Sequence, residues 1–105
     1  MPPQDDIQLE RHQREEARWL ILRVLDAARP FNASENIVSK TLASSELPVT
    51  PSGIRRELTY LEDKGLLAIA SRKVPVWHAK LTAYGVDVVE YTKDAPPGIA
   101  RPDEA

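Results

Sequence analysis

Cysteine is absent from this 105-residue chain, which removes disulfides, thiolate metal sites and thiol catalysis together. With only four glycines, it has no Gly-rich loop to cradle a phosphate group. His12 and His78 are the only histidines, and neither has a partner at metal-ligand spacing, so no metal or other cofactor is expected. No apolar run approaches the ~20 residues needed to cross a bilayer. The opening MPPQDDIQLE is acidic and polar, unlike a secretory or transit peptide, which leaves the cytoplasm as the expected location. Carboxylate pairs suited to catalysis are also missing. Glu62 and Asp63 are adjacent and diverge by ~100° around a helix, while Glu15-Glu16 and Asp5-Asp6 read as solvated helix-start charge. No nucleophile motif remains, so an enzyme is not expected.

A strong charge of one sign is lacking too, since the net charge is −2. The distribution is more telling. Residues 1–49 carry −2 and residues 83–105 carry −3, whereas residues 50–82 carry +3 from six Lys/Arg against three Asp/Glu. Positive charge therefore gathers in one short stretch, where a solvated face competes with a phosphate-binding one.

What is present is a clear order of elements punctuated by proline. Ala17, Leu20, Ile21, Val24, Leu25 and Ala28 form an apolar stripe on a first helix that starts within residues 5–10 and ends near Arg29, before Pro30. A shorter second helix, capped by Asn32 or Ser34, carries Ile37, Val38, Thr41 and Leu42. The third is the best defined. Thr50 supplies an N-cap oxygen, Pro51 suits the first helical position, Ile54, Leu58 and Leu61 repeat at helical spacing, and Gly65 ends the helix. Two strand-like runs follow, 66–71 and 76–81, around a basic tip, Arg72-Lys73-Val74-Pro75. Thr82 can cap a last helix over 83–92. This order predicts an α+β winged helix-turn-helix: a three-helix core, a two-stranded β-hairpin wing and a C-terminal helix. Residues 1–9 read as an N-terminal arm, 10–93 as the winged-helix domain, and 94–105 as a flexible Pro-rich tail poor in apolar side chains.

With Ile54, Leu58 and Leu61 inward, Ser52, Arg56 and Thr59 point outward and Arg55 flanks them. Small hydroxyls and arginines near a helix start suit a major groove, where Arg holds guanine O6/N7 through two bonds. The competing reading is a solubilising Arg pair. Arg72 and Lys73, at the hairpin tip, suit backbone phosphate, although charged tips also protect sheet edges from aggregation. Trp19 and Leu22 lie off the apolar stripe of the first helix and read as a dimer seam. The alternative is that the last helix or the tail folds back over them within one monomer.

The stretches IRRELTYLEDKGLLAI and LTAYG resemble the recognition-helix-to-wing pattern and wing exit of the winged-helix regulator superfamily that includes the ArsR, MarR and PadR families. More narrowly, REEARWLILRVLDAA, RRELTYLEDKGLL and KLTAYG, with the GIARP tail, resemble a small winged-helix protein of Mu-like phages and prophages over about residues 10–102. The resemblance implies a bacterial host and, through the superfamily, binding of double-stranded DNA by a regulator of transcription. Carried onto this chain, the DNA-reading positions are Ser52, Arg55, Arg56 and Thr59, and the wing positions are Arg72 and Lys73. A homodimer would double a modest cationic footprint. The runner-up reading is a winged helix that binds a phage or host protein during assembly or DNA packaging. The acidic overall balance departs from that of a strong DNA binder.

Overall fold

The computed structural model describes residues 3–104, with side chains from residue 10 onward. Helix α1 spans Pro3–Ala28. Nothing after Pro3 breaks it, and proline is tolerated in a first turn. The arm expected over residues 1–9 is therefore helical from Pro3, and residues 1 and 2 lie outside the described residues. Strand β1 (Ala33–Ser34), helix α2 (Glu35–Ser44), helix α3 (Pro51–Asp63), strands β2 (Leu67–Ile69) and β3 (His78–Leu81), and helix α4 (Ala83–Val89) complete the order.

The three strands form an antiparallel sheet in the order β1-β3-β2, so the hairpin gains a third, two-residue strand that the sequence did not announce. Ala33 faces Ala79, and Leu67 faces Leu81. The pairing of β1 extends one rung through Glu35 N–H, which donates to Trp77 O at 2.8 Å. Along β3 the period of two holds: Ala79 and Leu81 are buried, while His78 and Lys80 are exposed. Both hairpin strands are shorter than expected. The wing loop therefore runs over 70–77, closed by Ala70 N–H donating to His78 O at 2.9 Å.

Helix α3 follows the sequence reading. Thr50 Oγ1 accepts from Gly53 N–H at 3.1 Å, Ile54, Leu58 and Leu61 are buried, and Gly65 adopts φ 79° to end the turn. At α2, Ser34 is the cap, accepting from Ile37 N–H at 3.2 Å. Ile37 does not join the core; it is 51% exposed. Thr82 caps α4 through Gly85 N–H at 3.0 Å. Gly85 is required by close approach, because a β-carbon there would collide with the carbonyl oxygen of Leu66. That is the physical reason for a glycine at the end of LTAYG.

The core places α1 against α2, β1, β3 and α4. Full burial on α1 falls on Ala17, Ile21, Leu22 and Leu25, while Leu20, Val24 and Ala28 are only partly covered. The expected dimer seam must be corrected here. Leu22 is 0% exposed and has no surface to offer a partner, because neighbours wrap more than one side of α1. Trp19 is partly buried, with Tyr91 edge-on to it at 6.2 Å.

The tail differs from expectation as well. It is extended, yet it is fastened by its backbone. Ala100 N–H donates to Glu15 O at 3.1 Å, and Gly98 O accepts from Arg18 Nη1 at 3.1 Å. Pro102 O accepts from Tyr91 Oη at 2.7 Å. Arg101 Nη1 turns back to Val88 O and Lys93 O at 2.9 and 2.8 Å, satisfying carbonyls at and just past the end of α4. The tail thus forms a strap beside Trp19, with Ile99 packed against the core.

Candidate nucleic-acid interface

The amphipathic pattern of α3 sets which side chains can meet a ligand. Gly53, Ile54, Glu57, Leu58 and Leu61 face inward, and Ser52 and Arg56 are exposed. Beneath the helix, the buried Glu57 carboxylate accepts from Arg18 Nε at 2.7 Å, and the Arg18 guanidinium stacks over Tyr60 at 3.7 Å. This pair ties α3 to α1 and the tail. The buried side of the helix is thus held by charge as well as by packing.

Arg55 does not project freely. Its Nε and Nη2 grip the Glu35 carboxylate at 2.9 and 2.8 Å, and Nη2 also donates to Pro75 O in the wing loop at 3.0 Å. Glu35 Oε2 accepts a third bond, from Trp77 N–H at 2.7 Å. The hydrogen bonds from Arg55 lower the Glu35 pKa below the usual glutamate value, against the opposing effect of burial, and the Trp77 N–H adds to the lowering. One carboxylate at the start of α2 therefore joins α2, α3 and the wing.

Arg72, expected at the wing tip, also folds inward. Its Nη2 meets Glu62 Oε1 at 2.9 Å and Thr59 Oγ1 at 3.3 Å, both on α3. Glu62 Oε2 accepts from Ile69 N–H at 2.9 Å. That backbone bond is the main reason the Glu62 pKa is lowered, with Arg72 adding to it. Both guanidiniums approach the Trp77 ring, at 4.5 Å for Arg55 and 5.2 Å for Arg72. Its Nε1 is buried without a hydrogen-bond partner among the described residues. The indole contributes its ring face rather than its N–H.

The six positions singled out from sequence thus divide in two. Ser52, Arg56 and Lys73 are exposed, and neither cation has an ion-pair partner among the described residues. Arg55, Thr59 and Arg72 are tied into the contacts that hold the wing against α3. Glu35, Glu62 and Trp77 were missed as organisers of the site. Glu35 carries no sequence signal of its partners, and Glu62 enters the sequence reading only as diverging from Asp63. A signal for Glu62 was available: it lies three residues after Thr59 and one element before the basic loop.

No protein-family model matches the chain, and no curated protein matches it. Solved structures do. RosR of H. salinarum is similar over 72% of this chain and 67% of its own, with 21% identity and a TM-score of 0.62. A PadR family transcriptional regulator from Eggerthella lenta is similar over 85% and 77%, with 22% identity and a TM-score of 0.54. The fold is a winged helix. Within the winged helix, α2 and α3 form the helix-turn-helix pair and the 70–77 loop is the wing. Among the described residues there is no cluster of three His, Cys, Asp or Glu side chains placed to hold a metal ion, and no helix is long and apolar enough to cross a membrane.

Proposed function

We propose that this protein is a non-enzymatic regulator of transcription that binds double-stranded DNA, with α3 in the major groove and the wing against phosphate. The observation that carries this reading is the exposed pair of Ser52 and Arg56 on α3, beside a wing latched to the same helix through Glu35–Arg55 and Glu62–Arg72. Arg56 reads a base edge, Ser52 and Lys73 hold phosphate, and Arg55, Thr59 and Arg72 position the wing. The E. lenta protein of similar fold is described as a transcriptional regulator, which supports the assignment. The resemblance to small proteins of Mu-like phages supports a phage or prophage setting, and a homodimer would enlarge the footprint.

Fluorescence anisotropy with duplexes enriched by binding selection tests this. Arg56→Ala should weaken specific binding by about 1–3 kcal/mol and relax discrimination at one base pair. Lys73→Ala should weaken binding to every duplex alike and flatten the salt dependence. Isotherms identical to wild type for both variants would overturn the assignment of roles.

A second reading, a winged helix that binds a phage or host protein, is favoured by the exposed Ile37 beside partly covered Leu20 and Val24. A stoichiometric protein partner lost on Ile37→Asp, with no retention on a DNA column, would select it over DNA binding.

A further inference from the structure

An open groove of about 480 Å³ runs between the C-terminal half of α1 and the outer side of α2. Leu20, Val24, Ala27 and Ala28 line it from α1, at the spacing of one helix face, and Ile37 and Thr41 line it from α2. The lining is mostly apolar, and Ile37 stands half exposed at its rim. Arg23 is the one charged residue in the lining. Lys40, one turn on from Ile37, is exposed on the same side of α2. Neither cation forms an ion pair among the described residues. The carboxylates of α1 on either side of this stretch are engaged elsewhere: Asp26 pairs with Arg29 at 3.2 Å, and Glu16 lines the cleft beside the strap. In a chain of net charge −2, this face joins an apolar floor to unopposed positive charge.

We propose that this groove docks an acidic amphipathic helix of a second protein, with apolar side chains one turn apart on Leu20, Val24 and Ile37 and carboxylates on Arg23 and Lys40. From Leu20 to Ala28 the floor covers about 12 Å along α1, room for about two turns of a partner helix. Helices that bind in grooves anchor through that spacing. Charge argues against a second copy as the occupant. A two-fold contact sets the same patch against itself, so Arg23 and Lys40 would face their own counterparts with no carboxylate in the lining to offset them. Ser52, Arg56 and Lys73 do not line the groove, so docking does not consume the proposed DNA contacts. The inference develops the protein-partner reading of this face and is independent of DNA binding.

The probe is a capped peptide helix of Leu, Glu and Ala, about four turns long, with leucines on one face and glutamates flanking them. Two controls carry Lys in place of Glu, or Ser in place of Leu. Amide NMR on the full chain should show saturable shifts of Leu20, Val24, Ile37 and Thr41 with the acidic peptide and none with either control. Ile37→Asp should abolish the shifts. Arg23→Glu should weaken the acidic peptide about tenfold, the loss of one charge-assisted contact, and should gain binding of the Lys peptide. Both positions are exposed, so the variants keep the fold, and the exchange of charge preference separates docking from a general loss of structure. No saturable shift below about 1 mM, equal shifts from the Lys peptide, or shifts centred on Ser52 and Arg56 would each overturn the proposal. So would an unchanged preference in Arg23→Glu, or shifts of the groove amides on raising the protein concentration alone, which would mark a contact between copies. Duplex DNA should leave Leu20 and Ile37 unmoved, and a duplex that shifts them would assign the face to nucleic acid instead. Should the protein bind no duplex while the acidic peptide still shifts Val24 and Ile37, the DNA-binding reading fails and the docking groove stands.

Discussion

Glu35 shows how much one side chain can organise. It accepts from three donors on two other parts of the chain, Arg55 Nε, Arg55 Nη2 and Trp77 N–H, at 2.9, 2.8 and 2.7 Å. Glu35→Gln keeps the shape but loses the charge and leaves a donor facing a donor. It should cost about 1–3 kcal/mol in urea unfolding, reduced from a fully buried pair because Arg55 is partly solvated. The pH dependence follows from the lowered pKa of Glu35 and of Glu62, both below the usual 4.5. Each stabilises the fold fully above 4.5, and the contribution is lost as pH falls through the depressed folded value. Tm should therefore hold steady from neutral pH down to about that point and then drop, and Glu35→Gln should remove part of the acid drop. A Tm that rises on acidification would contradict this sign. Outward positions such as Ser52 and Arg56 were legible because a helical period places them. The commitment of Arg55 was not, since its partner stands 20 residues away and local periodicity carries no such information.

Among the elements, α3 was legible nearly residue by residue, because Thr50, Pro51 and Gly65 each have one strong positional meaning. Strand β1 was not, as two residues cannot display a period. The strap was open in sequence only as the alternative to a dimer seam, a tail folding back over Trp19, and its contacts were not legible. Its contacts run through Pro97, Gly98 and Pro102 carbonyls and the Ala100 N–H, and composition does not report what a backbone will bond to. Among the described residues, Arg101 is the strap side chain that hydrogen-bonds back to the domain, while Ile99 packs against the core. Arg101→Ala removes two bonds to carbonyls at the end of α4 and should cost about 1–2 kcal/mol, or about 4–8 °C in Tm per kcal/mol for a domain of this size. Differential scanning calorimetry measures it, and an unchanged Tm would show that the strap adds nothing to stability. The same docking explains why Trp19 looked unpartnered in sequence: Tyr91 and the strap supply its neighbours.

For the whole molecule, fold class was readable from element order, while charge was readable only as a sum. Among the described residues, six basic side chains, Arg11, Arg18, Arg29, Arg55, Arg72 and Lys93, are engaged in ion pairs. Two of the six basic residues counted over 50–82, Arg55 and Arg72, are therefore engaged in holding the wing against α3. With Lys73 as the one cation proposed to sit on phosphate, the slope of log K against log salt on duplex DNA should be about −1 per protomer, and about −2 for a dimer. A slope far steeper would mean that the internal pairs open onto phosphate. The two guanidinium clamps hold the wing against α3, so on the proposed function both surfaces would meet a duplex at one fixed angle. Such a reader would not follow a groove that widens or bends, and the accommodation would fall to the nucleic acid. Deformable pyrimidine–purine steps flanking the contacted bases would then govern affinity at positions no side chain touches.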